Sequence, residues 1–128
     1  VMGFLDDDPT KKEIHQIPVL GKIKDIQKYK DDFYFIIGIG DNQIRKKIAE
    51  NNPALNYYTA IHPTAVIGEG VHIGNGTAVM AGVVINVDTD IGEHCIINTS
   101  AVVEHDVTIQ SLTHISPTYD NLRFCKNR

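Results

Sequence analysis

Tryptophan is absent from the 128 residues, and phenylalanine and tyrosine together number nine. Leucine occurs only five times. An ordinary globule of this length fills its interior with leucine and aromatic bulk, so this chain must fill it with something else. Cysteine is scarce too: Cys95 and Cys125 are too few for the disulfide framework of a small secreted domain, and both read as reduced thiols of a cytoplasmic protein. Basic charge is outnumbered, 12 Lys and Arg against 16 Asp and Glu, for a formal net charge of −4. A dedicated nucleic-acid surface normally needs the opposite balance. No apolar run approaches the ~20 residues that span a bilayer; the longest, Phe33 to Gly40, is short and broken by glycine. Neither nucleic acid nor membrane is an expected partner. No basic-then-apolar leader stands at Val1, so no secretory signal is visible, and a first residue other than Met leads us to expect chain upstream.

What is present divides near residue 57. Nine of the 12 basic residues lie between Lys11 and Lys47, whereas 57–116 contains none. Residues 1–56 read as alternating strand and helix. Val1 to Leu5 is a short apolar strand ended by Asp6-Asp7-Asp8-Pro9, a turn signal. Pro18 to Gly21 is a second extended piece, and Ile23 to Tyr29 a short helix. Phe33 to Ile37 reads as a buried strand, apolar on both faces as parallel strands are. Gly38-Ile39-Gly40-Asp41-Asn42 then turns into a helix from about Gln43 to Glu50, which Asn51-Asn52-Pro53 ends. A strand, a glycine turn and a helix make half of a nucleotide-binding βαβ unit. The fingerprint lacks its third glycine, so it points weakly to NAD, yet its backbone amides could still face a phosphate.

Beyond residue 57 the chain repeats. Stepping by six from Ile61 gives Ile67, Ile73, Val79, Ile85, Ile91, Ile97, Val103, Ile109 and Ile115, every one Ile or Val. Four residues after the first nine of these stand Ala65, Val71, Thr77, Val83, Thr89, Cys95, Ala101, Val107 and Thr113, all small or β-branched. Glycine or asparagine follows the Ile or Val directly at Gly68, Gly74, Asn86, Gly92 and Asn98, where we expect a corner with φ > 0. Neither a helix of period 3.6 nor plain strand alternation produces a step of six. Short strands joined by tight corners and coiled into a parallel β-helix do. Residues 61–114 then make nine hexads, or three coils of three, with stacked Ile and Val in place of large rings.

Residues three hexads apart stack, which sorts the outward side chains by face. One face carries Val66, Val84 and Val102; a second carries Ala78, Ile96 and His114; the third is polar, with His72, Asp90 and Thr108, beside Glu69, Asp88 and His105. Two apolar outer faces point to burial against neighbouring prisms, most simply in a homotrimer. His105, inside Glu104-His105-Asp106, points outward between two carboxylates that would raise its pKa and fix its tautomer, as an acid–base catalyst requires. His114 also points outward, and across a trimer interface the two could converge on one cleft. His15, His62, His72 and His94 lack such surroundings and read as corner or surface residues. No Cys or His pair has close metal-ligand spacing, Cys95 points inward, and no Gly-x-Ser-x-Gly elbow exists.

Several segments together resemble one family. They are Gly3-Phe4-Leu5-Asp6-Asp7, Ile39-Gly40-Asp41-Asn42-Gln43-Ile44-Arg45, Ile61-His62-Pro63-Thr64-Ala65, and the run from Val84 to Ser116. The chain is similar to the hexapeptide-repeat sugar acetyltransferases, the sialic acid O-acetyltransferase and UDP-4-amino-sugar N-acetyltransferase group, shortened at both ends. The resemblance implies a partial Rossmann-like α/β domain over 1–56, a left-handed parallel β-helix over 57–116 and an unmatched tail over 117–128. It implies acetyl-CoA as donor, no metal, and a nucleotide-sugar or sialic acid acceptor. N-acetylation of a UDP-4-amino sugar is the first expectation; sialic acid O-acetylation and a remnant that only binds nucleotide-sugar are the alternatives. Carried over by position, His105 matches the general base and Asp106 the carboxylate that makes it more basic. His114 matches a contact to the acetyl-CoA thioester, while Asp6, Asp7, Gly40 and Gln43 match the nucleotide-sugar pocket. Asn98 carries no assigned role. Gln110-Ser111-Leu112 replaces the family's Gly-Asp-Phe, and Tyr119 interrupts the hexads after Ser116.

Overall fold

A computed structural model describes residues 1–117 of the chain, in two compact units, Val1–Tyr34 and Phe35 onward. The expected break at Tyr119 and the second thiol, Cys125, lie outside the described residues, as does all of the unmatched tail except Pro117.

The leading unit is a small sheet in the order β1-β3-β2, with β1 at Phe4–Leu5, β2 at Glu13–Ile14 and β3 at Ile17–Gly21. β1 and β3 run parallel, as in a partial Rossmann-like arrangement, while β2 and β3 form a hairpin. Its two-residue loop, His15-Gln16, has φ of 48° and 67°, the doubly left-handed turn whose twist suits a tight hairpin. The expected helix at Ile23–Tyr29 is present as a 3₁₀ helix, and Ile26 is its buried residue.

In the second unit the reading of Phe33 to Ile37 needs correction. The segment forms no strand: Phe35 alone makes a parallel bridge, to Tyr57, and Tyr34 and Ile36 are exposed while Ile37 is buried. With a partner on one side only, its apolar run is not sandwiched as a parallel strand would be. Helix α1 spans Asn42–Asn51 and begins where Asp41 accepts hydrogen bonds from the backbone amides of Gln43 and Ile44, at 2.9 and 3.0 Å. These two first-turn donors are therefore already occupied within the chain.

The hexads fold as their period requires. Ten two-residue strands follow: β4 (Ala60–Ile61), β5 (Val66–Ile67), β6 (His72–Ile73), β7 (Ala78–Val79), β8 (Val84–Ile85), β9 (Asp90–Ile91), β10 (Ile96–Ile97), β11 (Val102–Val103), β12 (Thr108–Ile109) and β13 (His114–Ile115). They assort into three parallel sheets, β4-β7-β10-β13, β5-β8-β11 and β6-β9-β12, which are the sides of a left-handed parallel β-helix. The register is eighteen residues throughout, as in Val66 opposite Val84 and Val84 opposite Val102. Ile85, Ile91, Ile97, Val79, Val83 and Val103 form the interior. Each such side chain adds about 1.5–3 kcal/mol by leaving water. The hydroxyls of Thr77 and Thr89, also buried, donate to the carbonyls of Gly92 and Glu104, both at 2.8 Å.

The corners differ from the sequence expectation. Left-handed backbone occurs two residues after the predicted positions, at Gly70, Gly76, Gly82, Asp88, His94, Ser100, Asp106 and Leu112. The glycines at 68, 74 and 92 serve a different need. A Cβ on Gly74 would lie 2.5 Å from the backbone of Gly92, and one on Gly92 2.5 Å from the amide of Ser111. Close approach of the next coil, rather than φ, excludes a side chain there. The apolar faces also differ from expectation. Val66 and Val102 are exposed, but Ile96 is already buried within the chain, so a single apolar face stays open.

Gly74→Ala should therefore lower unfolding free energy by about 1–3 kcal/mol, the usual cost of overpacking. Gly40→Ala, where a Cβ meets nothing within 4 Å, should change it by less than about 0.5 kcal/mol. Urea titrations of the two variants against the parent chain check both.

Candidate functional site

His105 and Asp106 occupy the corner between β11 and β12. The bend itself needs a left-handed residue, and Asp106 supplies it at φ 57°, a conformation that aspartate tolerates better than bulkier residues. The corner is tied down on both sides: the Asp106 amide donates to Val87 O at 3.0 Å, and the Thr89 hydroxyl donates to Glu104 O at 2.8 Å. On that base His105 Nδ1 and Asp106 Oδ2 stand 2.7 Å apart, both side chains exposed. The Asp106 hydrogen bond, then the Asp106 charge and more weakly that of Glu104, raise the His105 pKa above its ordinary value. With its Nδ1 proton directed at the carboxylate, the ring presents its Nε2 lone pair outward.

His114 lies on β13, half-buried, with Nε2 3.0 Å from Asn98 Nδ2. Asn98 Oδ1 accepts from the Thr99 amide at 2.8 Å, which fixes the amide so that Nδ2 donates to the histidine. Nε2 is then the acceptor, and the His114 proton sits on Nδ1. Asn98 is therefore the residue that sets this tautomer. Its signal in the sequence was the eighteen-residue stacking that sets β13 on β10, the strand Asn98 follows. The sheet containing His114 is opposite the corner containing His105, so one chain does not bring the two rings together.

The residues matched to a nucleotide-sugar pocket lie in both units. Asp6 accepts from the Asp8 amide at 2.9 Å and from Lys11 Nζ at 3.3 Å, which lowers its pKa, the amide contributing most. Asp7 accepts from the Ile23 amide at 2.9 Å and so caps the 3₁₀ helix. Gly40 precedes α1 and Gln43 lies in its first turn. Added Cβ atoms on Gly38 and Gly40 would meet nothing within 4 Å, so no contact within the chain requires glycine at either position. The described residues contain no cluster of three or more His, Cys, Asp and Glu able to hold a metal ion, and no helix long and apolar enough to cross a membrane.

Sequence reasoning left Arg45 without a role, and it is the most heavily bonded side chain of the unit. It is completely buried, and it donates from Nε to His94 O at 2.7 Å, from Nη1 to Ile39 O at 2.9 Å and Gly40 O at 3.3 Å, and from Nη2 to Leu112 O at 3.0 Å and to Asn42 Oδ1. A single arginine in a helix of charged residues carries no mark of this in the sequence.

These features meet known proteins at several points. Residues 1–52 match the family described as the PglD N-terminal domain. The UDP-N-acetylbacillosamine N-acetyltransferase of Bacillus subtilis (strain 168) is 41% identical over 61 residues, 46% of this chain and 28% of that protein. The acetyltransferase domain of PglB from Neisseria gonorrhoeae FA1090 superposes with a TM-score of 0.84 at 33% identity, over 90% of this chain and 58% of that one. The chain is similar in sequence and in fold to nucleotide-sugar N-acetyltransferases. A further such relative, PerB from Caulobacter crescentus, solved with CoA and GDP-perosamine, gives a TM-score of 0.81 at 36% identity over 90% of this chain and 56% of that one. The chain thus spans a little over half the length of these two solved acetyltransferases.

One histidine is placed to respond to acid in the opposite sense to His105. His94, 8% exposed, packs edge-on against Tyr57 with ring centroids 4.4 Å apart, and its Nδ1 has no hydrogen-bond partner. Burial lowers its pKa from 6.5; Glu93 opposes that shift and Arg45 adds to it. The folded state resists a proton that the unfolded state accepts, so this residue's contribution is complete above about pH 6.5 and is lost as pH falls below it. The urea midpoint should decline from pH 7.5 to 5. His94→Asn, which keeps a residue suited to φ 54°, should flatten the decline even if it lowers the midpoint overall.

Proposed function

We propose that this chain transfers the acetyl group of acetyl-CoA to the amine of a nucleotide-linked 4-amino sugar, with His105 as general base. The observation that carries the reading is the 2.7 Å His105–Asp106 pair on an exposed, rigidly bonded corner. Nε2 of His105 takes a proton from the acceptor nitrogen as that nitrogen attacks the thioester carbonyl. The tetrahedral intermediate collapses by breaking the carbon–sulfur bond, and the departing thiolate receives the proton from His105. Asp106 holds the ring's tautomer and stabilises the imidazolium formed between these steps. His114, with its proton on Nδ1, is suited to donate to the thioester oxygen as negative charge develops there. Asp6, Asp7, Gly40 and Gln43 are the proposed contacts to the nucleotide-sugar, and the open space over Gly40 leaves room for close approach. The names of the relatives, all N-acetyltransferases where an acceptor is given, support an amine over the hydroxyl of a sialic acid.

Because His105 and His114 lie on opposite sides of one prism, a second copy is what could bring both to one cleft. The ladder of exposed Val66, half-buried Val84 and exposed Val102 supports burial against another prism, and a homotrimer is the proposed closure. Light scattering should then find a trimer, and Val102→Asp a smaller species; a monomeric parent chain would refute this.

His105→Ala should slow thiol release from acetyl-CoA by about 10²–10⁴-fold, the usual worth of a positioned base. Asp106→Asn removes the group that raises the His105 pKa, so the acidic limb of the kcat/KM profile should move to lower pH while the plateau falls. No thiol release from the parent chain with any 4-amino sugar nucleotide or sialic acid, alongside retained nucleotide-sugar binding, would instead favour a binding remnant.

A further inference from the structure

We infer that Arg45 is a positioning residue that holds the Gly38–Gly40 loop and the strand bearing His114 in one fixed relation. The kinetic consequence rests on the acetyl-transfer reading above; the geometry does not.

Arg45 is fully buried, and none of the ion pairs among the described residues includes it. Burial lowers its pKa from the ordinary value; the nearby thiol of Cys95 and carboxylate of Asp41 only oppose that shift. Taking a guanidinium out of water is expensive, and a well-packed apolar side chain would often anchor a helix to a coil as well or better. What an apolar side chain cannot do is fix the angles between separate segments. A planar fork of donors can.

The partners of that fork come from three places. Ile39 O and Gly40 O belong to the glycine loop, and Asn42 Oδ1 to the first residue of α1. His94 O and Leu112 O belong to two corners stacked one coil apart. Both corner residues are in the left-handed region, at φ 54° and 67°, so their carbonyl directions cannot drift without reversing the bend. Leu112 stands two residues before His114, whose strand is secured in turn by the Asn98 amide on Ile115 O at 3.0 Å and by Asn98 Nδ2 on the ring. Arg45 thus ties a loop proposed to contact the acceptor to the entry of the strand proposed to contact the thioester. It bonds to nothing in the corner of His105.

That asymmetry separates positioning from bulk stability. In the full chain, Arg45→Lys and the milder Asn42→Ala, which removes one partner from an exposed helix start, should both speed amide hydrogen exchange. The gain should appear together over 38–41 and 112–115 and leave 102–106 unchanged. With acetyl-CoA and a UDP-4-amino sugar, kcat should fall about tenfold in Arg45→Lys and less in Asn42→Ala, with the acidic limb set by His105 unmoved. If Arg45→Lys does not fold, Asn42→Ala decides alone. Exchange that rises in one segment only, rises equally throughout the coils, or does not change overturns the inference, as does a kcat equal to the parent's. If the parent chain transfers no acetyl group, the reaction reading fails while the exchange comparison still decides the role of Arg45.

Discussion

Val66 donates its amide to Val83, Val84 to Ala101, and the same step of hydrogen bonds recurs on the other two sides, from His72 to Thr89 and from Ala78 to Cys95. This vertical bonding between coils is the constraint from which the second unit follows. It sets the eighteen-residue register, and the register decides which residues face inward as a column of Ile and Val. It also brings backbones so close at the corners that Gly74 and Gly92 can carry no side chain. The left-handed residue of each corner then donates its amide to a corner carbonyl one coil earlier, as Asp88 does to Glu69, Ser100 to Ala81 and Asp106 to Val87. No hydrophobic residue of that interior is larger than Ile, in keeping with the missing tryptophan.

The relation between the histidines also comes from that repeat. A prism with three sides and three corners sends residues nine apart to opposite positions, so His105 and His114 are separated by the same period that makes each face outward. Each is prepared separately. His105 has a carboxylate at Nδ1 and an open Nε2, whereas His114 has an amide donor at Nε2 and its proton on Nδ1. One ring can take a proton and the other can offer one, the division of labour that the proposed acyl transfer to an amine would use.

The coils were readable because a repeat of six overrides local propensity: its inward column and its stacking both appear in the structure, while of the two apolar outward faces the one with Ile96 is covered within the chain. The position of the bend was misread because glycine answers two different demands. At Gly68, Gly74 and Gly92 it answers crowding, and the left-handed angle falls two residues later, in five cases on a residue with a side chain. Phe33 to Ile37 was misread because an apolar pentapeptide does not announce whether it has strands on both sides, and here only Phe35 bridges. In the candidate site, the Glu104-His105-Asp106 triplet was legible because its partners are sequence neighbours. Arg45 and Asn98 were not, since their partners lie 49 and 67 residues away for the arginine and 16 for the asparagine.

At the corner of His105, bend and chemistry share one residue. Glycine in place of Asp106 would keep the left-handed turn and remove the proton's partner; glutamate would keep the charge and take up the turn less readily; asparagine alone fits the turn while altering only the charge. The backbone alone is less exacting, since the equivalent corners hold His94, Ser100 and Leu112 at φ 54°, 59° and 67°, and it is the proposed chemistry that singles out a carboxylate at 106. An aspartate here serves the bend and the proposed reaction together, and its pairing with the histidine at 105 is what marks the second role.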